Sequence, residues 1–219
     1  MHFMQDKTIL YLIRHGQTDY NRKGQLQGRG IDAPLDATGR AQSEAVARQL
    51  KTESINLVVS SSLLRARSTA EIISTSLNVP FHGHYTELDE MDFGKAEGHF
   101  VHQLGDELNA IYEKWGQGQV DSAFESGESP LEVLERAHRC MMKLLEEHTG
   151  KRIVAVIHGR LIRILLSDWL GLGLHRMNEI QHANASINKM EWNGTVFTPV
   201  LLNYTEHLKQ KELTPFSEL

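Results

Sequence analysis

Three short apolar runs, each ending abruptly in polar residues, constrain this chain most. Residues 9–13 read ILYLI before Arg14-His15-Gly16. Residues 56–60 read NLVVS before Ser61-Ser62 and Arg65, and residues 152–157 read RIVAVI before His158-Gly159. A run that is apolar throughout predicts a strand covered on both faces, as in a parallel sheet. Helical patterns separate the runs. Residues 37–51 space Ala41, Ala45, Val46 and Leu50 on one face. The segment after residue 60 opens with serines able to cap a helix and carries Leu64, Ala66, Ala70 and Ile73. Ser129, Pro130 and Glu132 open a third helix with a capping box, which Gly150 closes. RLIRILLSDWLGL follows the last run as a fourth. The alternation predicts an α/β fold, a three-layer sandwich around a mostly parallel central sheet.

The remainder is less patterned. Residues 79–94 read as irregular, and 95–125 as polar helical turns and a loop. Near the end, SINKMEW and GTVFTPVLLN flank Asn193-Gly194, an antiparallel hairpin at one side of the sheet. Without repeats, low-complexity tracts or linkers, residues 1–219 read as one domain, with 95–128 a lid or insertion.

A net charge of -5 argues against nucleic acid as a bulk partner, which would need a clustered basic footprint. It does not exclude an anionic small substrate, since a few local residues set a pocket's sign. The single cysteine, Cys140, permits no intrachain disulfide and sits in a helical pattern as a small core residue. With no long apolar run, the chain is expected to be cytoplasmic and without membrane partners. A homodimer is compatible with all of this. Among 12 histidines the close pairs are His82/His84 and His99/His102. Neither has metal-ligand spacing, so no metal or other cofactor is expected.

In an open parallel sheet, ligands bind at the carboxyl ends of the strands. That edge would gather His15, His158, Arg14 and Arg65, a small cationic pocket on an acidic protein. Guanidinium forks match phosphate oxygens in pairs, so phosphate is the natural ligand.

The string LIRHGQTDYN resembles the signature of the histidine phosphatase superfamily in its phosphoglycerate-mutase-like branch. QG at 27–28, SSSLLRARSTA at 60–70, ELDEMDFGKAEG at 87–98, SGES at 126–129 and VIHG at 156–159 echo it in the family's order. The acid-phosphatase and phytase branch shows Arg-His-Gly-x-Arg-x-Pro and a late His-Asp. Gln17-Thr18 and His158-Gly159 exclude it. The resemblance implies a phosphoglycerate-mutase-like fold, with His15 the nucleophile and Glu90 the proton donor. Arg14, Arg65 and His158 would hold the phosphoryl oxygens, and Asn21, Gln27 and Gly28 would border the pocket; no metal is required, since both arginines and a protonated His158 can supply the positive charge. Ser62 departs from the Asp or Pro common at its place, and Gln17 from the commoner Glu. Neither change touches an implied catalytic group.

These residues predict a phosphatase acting on a small phosphorylated metabolite through a phosphohistidine. The alternative is a mutase moving a phosphoryl group between hydroxyls, which must grip a second anion and exclude water. Between Gly94 and Ser129 there are two lysines, Lys95 and Lys114, and no arginine. The Glu-Arg-His-Tyr-type string of mutases is replaced by DEMDFG. Both features favour hydrolysis. A non-catalytic phosphate-binding protein would be expected to lack a histidine or the proton donor; this chain has all three.

Overall fold

The computed structural model describes residues 7–211. The three apolar runs become β1 (Thr8–Arg14), β2 (Leu57–Ser61) and β4 (Arg152–Ile157), neighbours in one six-stranded sheet. With β3 (Phe81–Tyr85) at one edge and a C-terminal pair, β5 (Ile187–Trp192) and β6 (Phe197–Tyr204), at the other, its order is β3-β2-β4-β1-β5-β6. β4 pairs in parallel with β1 on one side and β2 on the other. β5 runs antiparallel to β1, and β6 antiparallel to β5. They form the expected hairpin, turning through Asn193-Gly194 with Gly194 at φ 95°.

Side-chain alternation explains why the runs are apolar throughout. Tyr11, Ile13, Val58, Val154 and Val156 face one layer, packing with Val46 of α2 (Ala37–Leu50) and Ile73 of α3 (Leu64–Leu77). Leu10, Leu12, Val59, Ile153 and Ala155 face the other. There they meet Met141 and Leu145 of α5 (Pro130–Glu147) and Leu161 and Leu165 of α6 (Gly159–Trp169). Each strand residue thus buries apolar surface against a helix on its own side, giving three layers. Between β1 and α2 lies the short α1 (Asp19–Lys23), and α4 (Gly105–Gly116) lies between β3 and α5. α4 turns Leu108, Ile111 and Trp115 into the second layer.

Three local expectations need correction. Residues 81–85 are not irregular but form β3, parallel to β2 at the sheet edge. Two histidines, a glycine and one open edge hide the apolar signal there. α3 is not serine-capped: its N-cap is Leu63, with no side-chain cap bond. Ser61 Oγ instead accepts the Leu63 N–H. α5 has its capping box from Ser129 and Glu132, but it ends at Glu147 with His148 as C-cap. Gly150 turns the chain beyond it at φ 75° and donates its N–H to Thr8 Oγ1.

Candidate active site

His15 leaves β1 at its carboxyl end and is 3% exposed. Its backbone is clamped from both sides. His15 N–H donates to Ile157 O at 3.0 Å, and its carbonyl accepts from Ala185 N and Asn184 Nδ2. Close packing continues at Gly16, where a Cβ would stand 2.3 Å from the Gly39 carbonyl at the start of α2. The ring is oriented by its neighbour, with Nδ1 lying 2.7 Å from Gly16 O. A carbonyl can only accept, so Nδ1 carries the proton and Nε2 the lone pair. Burial, then Arg65, then Arg14 hold the imidazole well below the usual histidine range.

β4 delivers His158, whose ring centroid lies 5.2 Å from that of His15. Its Nε2 meets Ser61 Oγ at 2.6 Å. Among the described residues Nε2 is the acceptor within reach of the Ser61 hydroxyl, and a neutral His158 that accepts there carries its own proton on Nδ1. A protonated His158 was the expectation, and the structure corrects it. Burial first, then Arg65, His15 and Arg14 push its pKa well below the ordinary value. Burial and the two guanidiniums thus favour the neutral imidazole over the cation.

Backbone carbonyls and an imidazole help to orient the two arginines. Arg65 donates from Nη1 to Ile31 O at 2.7 Å and from Nη2 to Gly28 O at 3.1 Å. At Gly28 a Cβ would stand 2.7 Å from the Met91 backbone carbonyl, so a side chain there would force the backbone to shift. Arg14 donates from Nη1 to His182 Nδ1 at 2.9 Å. Thr18, the N-cap of α1, gathers the polar wall: its hydroxyl bonds Gln27 Oε1, and its backbone N–H donates to Asn21 Oδ1.

Four acidic residues compete in 87–92, and they separate cleanly. Glu87 is exposed. Asp89 accepts from the Ser62 backbone and hydroxyl, and Asp92 from Gly94 N. Glu90 is buried, with Oε2 accepting from Arg160 N at 3.0 Å and Oε1 from Leu161 N at 3.0 Å and Met91 N at 2.9 Å. The N-cap of α6 is His158, which makes no side-chain cap bond. The carboxyl group of Glu90 therefore serves the first-turn amides, which would otherwise lack acceptors.

Sequence reasoning missed His182, Asn184 and Ser61. His182 and Asn184 lie in the coil before β5, outside any periodic segment. The Asn184 side chain bridges His15 O and Asn21 Oδ1. His182 is held neutral by burial and by Arg14, Arg163 and Arg160. No spacing rule points to either; tertiary packing alone brings them in.

Neutral buried histidines predict a pH dependence of stability. His15, His158 and His182 all have lowered pKa values, and that of His207 falls to about 4. Below about 6.5 the unfolded chain takes up protons that the folded chain refuses, so their contribution is intact above that pH and lost as pH falls. Each histidine adds a slope of about 1.4 kcal/mol per pH unit between its folded value and about 6.5. Melting temperatures in phosphate-free buffer should drop steeply from pH 7 to pH 5.5. A flat or rising profile would contradict the neutral assignments.

A mostly parallel sheet whose strand ends gather two imidazoles and two oriented guanidiniums defines an α/β protein with a small cationic pocket, suited to an anion. The chain belongs to the histidine phosphatase superfamily (branch 1), whose family model matches residues 10–205. It is 32% identical over 183 residues to the probable phosphoglycerate mutase GpmB of Klebsiella pneumoniae, covering 84% of each chain. Among solved structures it resembles a mycobacterial glucosyl-3-phosphoglycerate phosphatase complexed with VO3. That likeness has a TM-score of 0.81 and 27% identity, over 90% of this chain and 99% of that one. It also resembles the Entamoeba histolytica phosphoserine phosphatase in complex with 3-phosphoglyceric acid. There the TM-score is 0.80 and the identity 28%, over 92% and 99% of the two chains.

Proposed function

We propose that the protein is a phosphatase that hydrolyses small phosphomonoesters through a phosphohistidine on His15. The observation that carries this reading is the His15 tautomer: Nδ1–H is tied to Gly16 O, so Nε2 presents its lone pair beside Arg14 and Arg65. Nε2 attacks phosphorus and the P–O bond to the alcohol breaks, turning one hard displacement into two easier ones. Glu90 enters the cycle protonated on Oε2, the oxygen that accepts one backbone N–H rather than two, gives that proton to the leaving oxygen, then takes one back from the attacking water. The second displacement breaks the Nε2–P bond and frees inorganic phosphate. Arg14, Arg65 and the Nδ1–H of His158 meet the equatorial oxygens, where charge is spread in the transition state. Gln27 Nε2 and His158 Nδ1 support this, being buried nitrogen atoms with no hydrogen-bond partner among the described residues. Buried donors without acceptors are costly, and a phosphoryl group would satisfy them.

Hydrolysis is preferred over transfer because the stretch from 95 to 128 offers the pocket no cation. Lys95 pairs with Glu125 at the surface, with 68% of each side chain exposed, and Lys114 is exposed. Phosphoglycerate mutase activity is the second reading, favoured by the name of the Klebsiella relative. A phosphate-release screen over small phosphomonoesters, with phosphoglycerate isomerisation run alongside, separates the two. Isomerisation outpacing phosphate release would overturn hydrolysis.

The same chemistry predicts indifference to chelators. Among the described residues no group of three or more His, Cys, Asp or Glu side chains is placed to hold a metal ion. Arg14 and Arg65 supply the positive charge instead. Adding a chelator should leave the rate within about twofold, a margin well below the several kcal/mol that a catalytic metal contributes. A large loss restored by a divalent cation would refute it.

A further inference from the structure

Arg160 is the second residue of α6, and its guanidinium is unusual for a buried cation. The residue is 7% exposed, yet its side-chain partners are neutral. Nη1 donates to Asn178 Oδ1 at 2.6 Å, and Nη2 donates to the Tyr112 hydroxyl. The guanidinium carbon lies 4.8 Å from the Tyr112 ring centroid and 5.3 Å from that of Trp115. Among the described residues no carboxylate pairs with it. An arginine has five N–H donors, and these two bonds leave others for a further acceptor. Neutral partners fix the fork in place without cancelling its charge. A buried charge without a counter-charge is costly, so an anion arriving there gains a preoriented, poorly hydrated partner.

The place of Arg160 says which anion. Its backbone N–H holds Glu90 Oε2, the carboxyl that protonates the leaving oxygen in the mechanism above. In an in-line displacement the leaving group lies opposite His15, so Arg160 stands on the leaving-group side. Tyr112 and Trp115 of α4 cover it there. We propose that Arg160 is the receptor for an anionic group, a carboxylate or a second phosphate, on the leaving alcohol of the substrate. This rests on the phosphatase reading for its orientation. It narrows the substrates from phosphomonoesters in general to those whose alcohol is itself an anion.

The test compares 3-phosphoglycerate with glycerol 3-phosphate, which shares the three-carbon skeleton but lacks the carboxylate. A bisphosphate of that skeleton serves as the second-phosphate arm. The wild type should prefer one of the two dianionic-plus substrates, and the preferred one names the group. In Arg160→Gln the preference over glycerol 3-phosphate should fall roughly 10- to 100-fold, mainly through KM, as expected for losing a charge-assisted hydrogen bond. Arg160→Lys should recover part of it. Equal losses for all substrates, in step with a lowered melting temperature, would mark Arg160 as a fastening between α4 and α6 and overturn the proposal. An unchanged preference would overturn it too. Binding of 3-phosphoglycerate and glycerol 3-phosphate to His15→Ala, with and without Arg160→Gln, reads the same selectivity without turnover. If no phosphate is released but this selectivity falls, the phosphatase reading fails and the anion receptor stands.

Discussion

His15→Ala should abolish turnover and covalent labelling together. In the wild type, incubation with substrate and an alkaline quench should leave an acid-labile mass increase of one phosphoryl group on the peptide holding His15. The variant should show no such mass, and its rate should fall on the order of 10⁴-fold or more, as when a covalent nucleophile is removed. Arg14, Arg65 and His158 remain to bind phosphate, so the variant should still bind a phosphomonoester while failing to cleave it. Phosphorylation surviving on another residue would end the nucleophile assignment. The lowered pKa of His15 adds a second expectation. Its neutral form persists well below pH 6.5, because burial, Arg65 and Arg14 all disfavour the imidazolium. Loss of the nucleophile by protonation should therefore set in only well below pH 6.5. Quenched-flow phosphorylation with an aryl phosphate, whose leaving group needs no proton, follows this step. A rate that halves near pH 6.5, once substrate ionisation is allowed for, would contradict the geometry.

The second large effect concerns Glu90. A nitrophenolate leaves without a proton, whereas an alkoxide does not, and general acid catalysis contributes about 10²–10⁴-fold. Glu90→Gln should slow phosphorylation by alkyl phosphates by roughly that factor and by aryl phosphates far less. Aryl turnover should then stall at the second step, where the base is missing, and a burst of nitrophenol should appear. The substitution carries a structural cost as well. Both carboxyl oxygens accept backbone N–H groups, two at Oε1 and one at Oε2. An amide nitrogen at either place faces a donor. The alkyl-to-aryl ratio, measured in single turnover, is insensitive to a partly unfolded fraction, so it isolates the chemistry. Equal slowing of both phosphorylation steps would remove Glu90 as the acid. Glu87→Gln is the control: that side chain is exposed, and its loss should leave both rates within about twofold, as surface changes usually do.

Much of this was legible in the residues themselves. ILYLI, NLVVS and RIVAVI encode strands buried on both faces, because each must present apolar side chains to two layers at once. The polar groups after them follow from a rule of parallel sheets: the carboxyl ends face one edge. His15, Arg14, Arg65 and His158 could therefore be brought together without coordinates. β3 was not legible, since an edge strand buries too little of itself to need an apolar run. The capping of α3 was misread for a related reason: Ser61 is spent on His158, a contact 97 positions away.

What only the tertiary structure decided is the proton inventory of the site. The position of His15 in the sequence does not say which ring nitrogen is free; the Gly16 carbonyl at 2.7 Å does. The charge of His158 was misjudged from sequence, because burial and two guanidiniums weigh more than any local pattern. Among Glu87, Asp89, Glu90 and Asp92 nothing in spacing chooses, whereas the first-turn amides of α6 donate to the carboxyl of Glu90. His182 and Arg160 acquire meaning only from neighbours far along the chain, Arg14 for the first and Tyr112 for the second. Strand and helix patterns are short-range properties, written where they act. Protonation and charge balance depend on distances between segments, which exist only once the chain has folded.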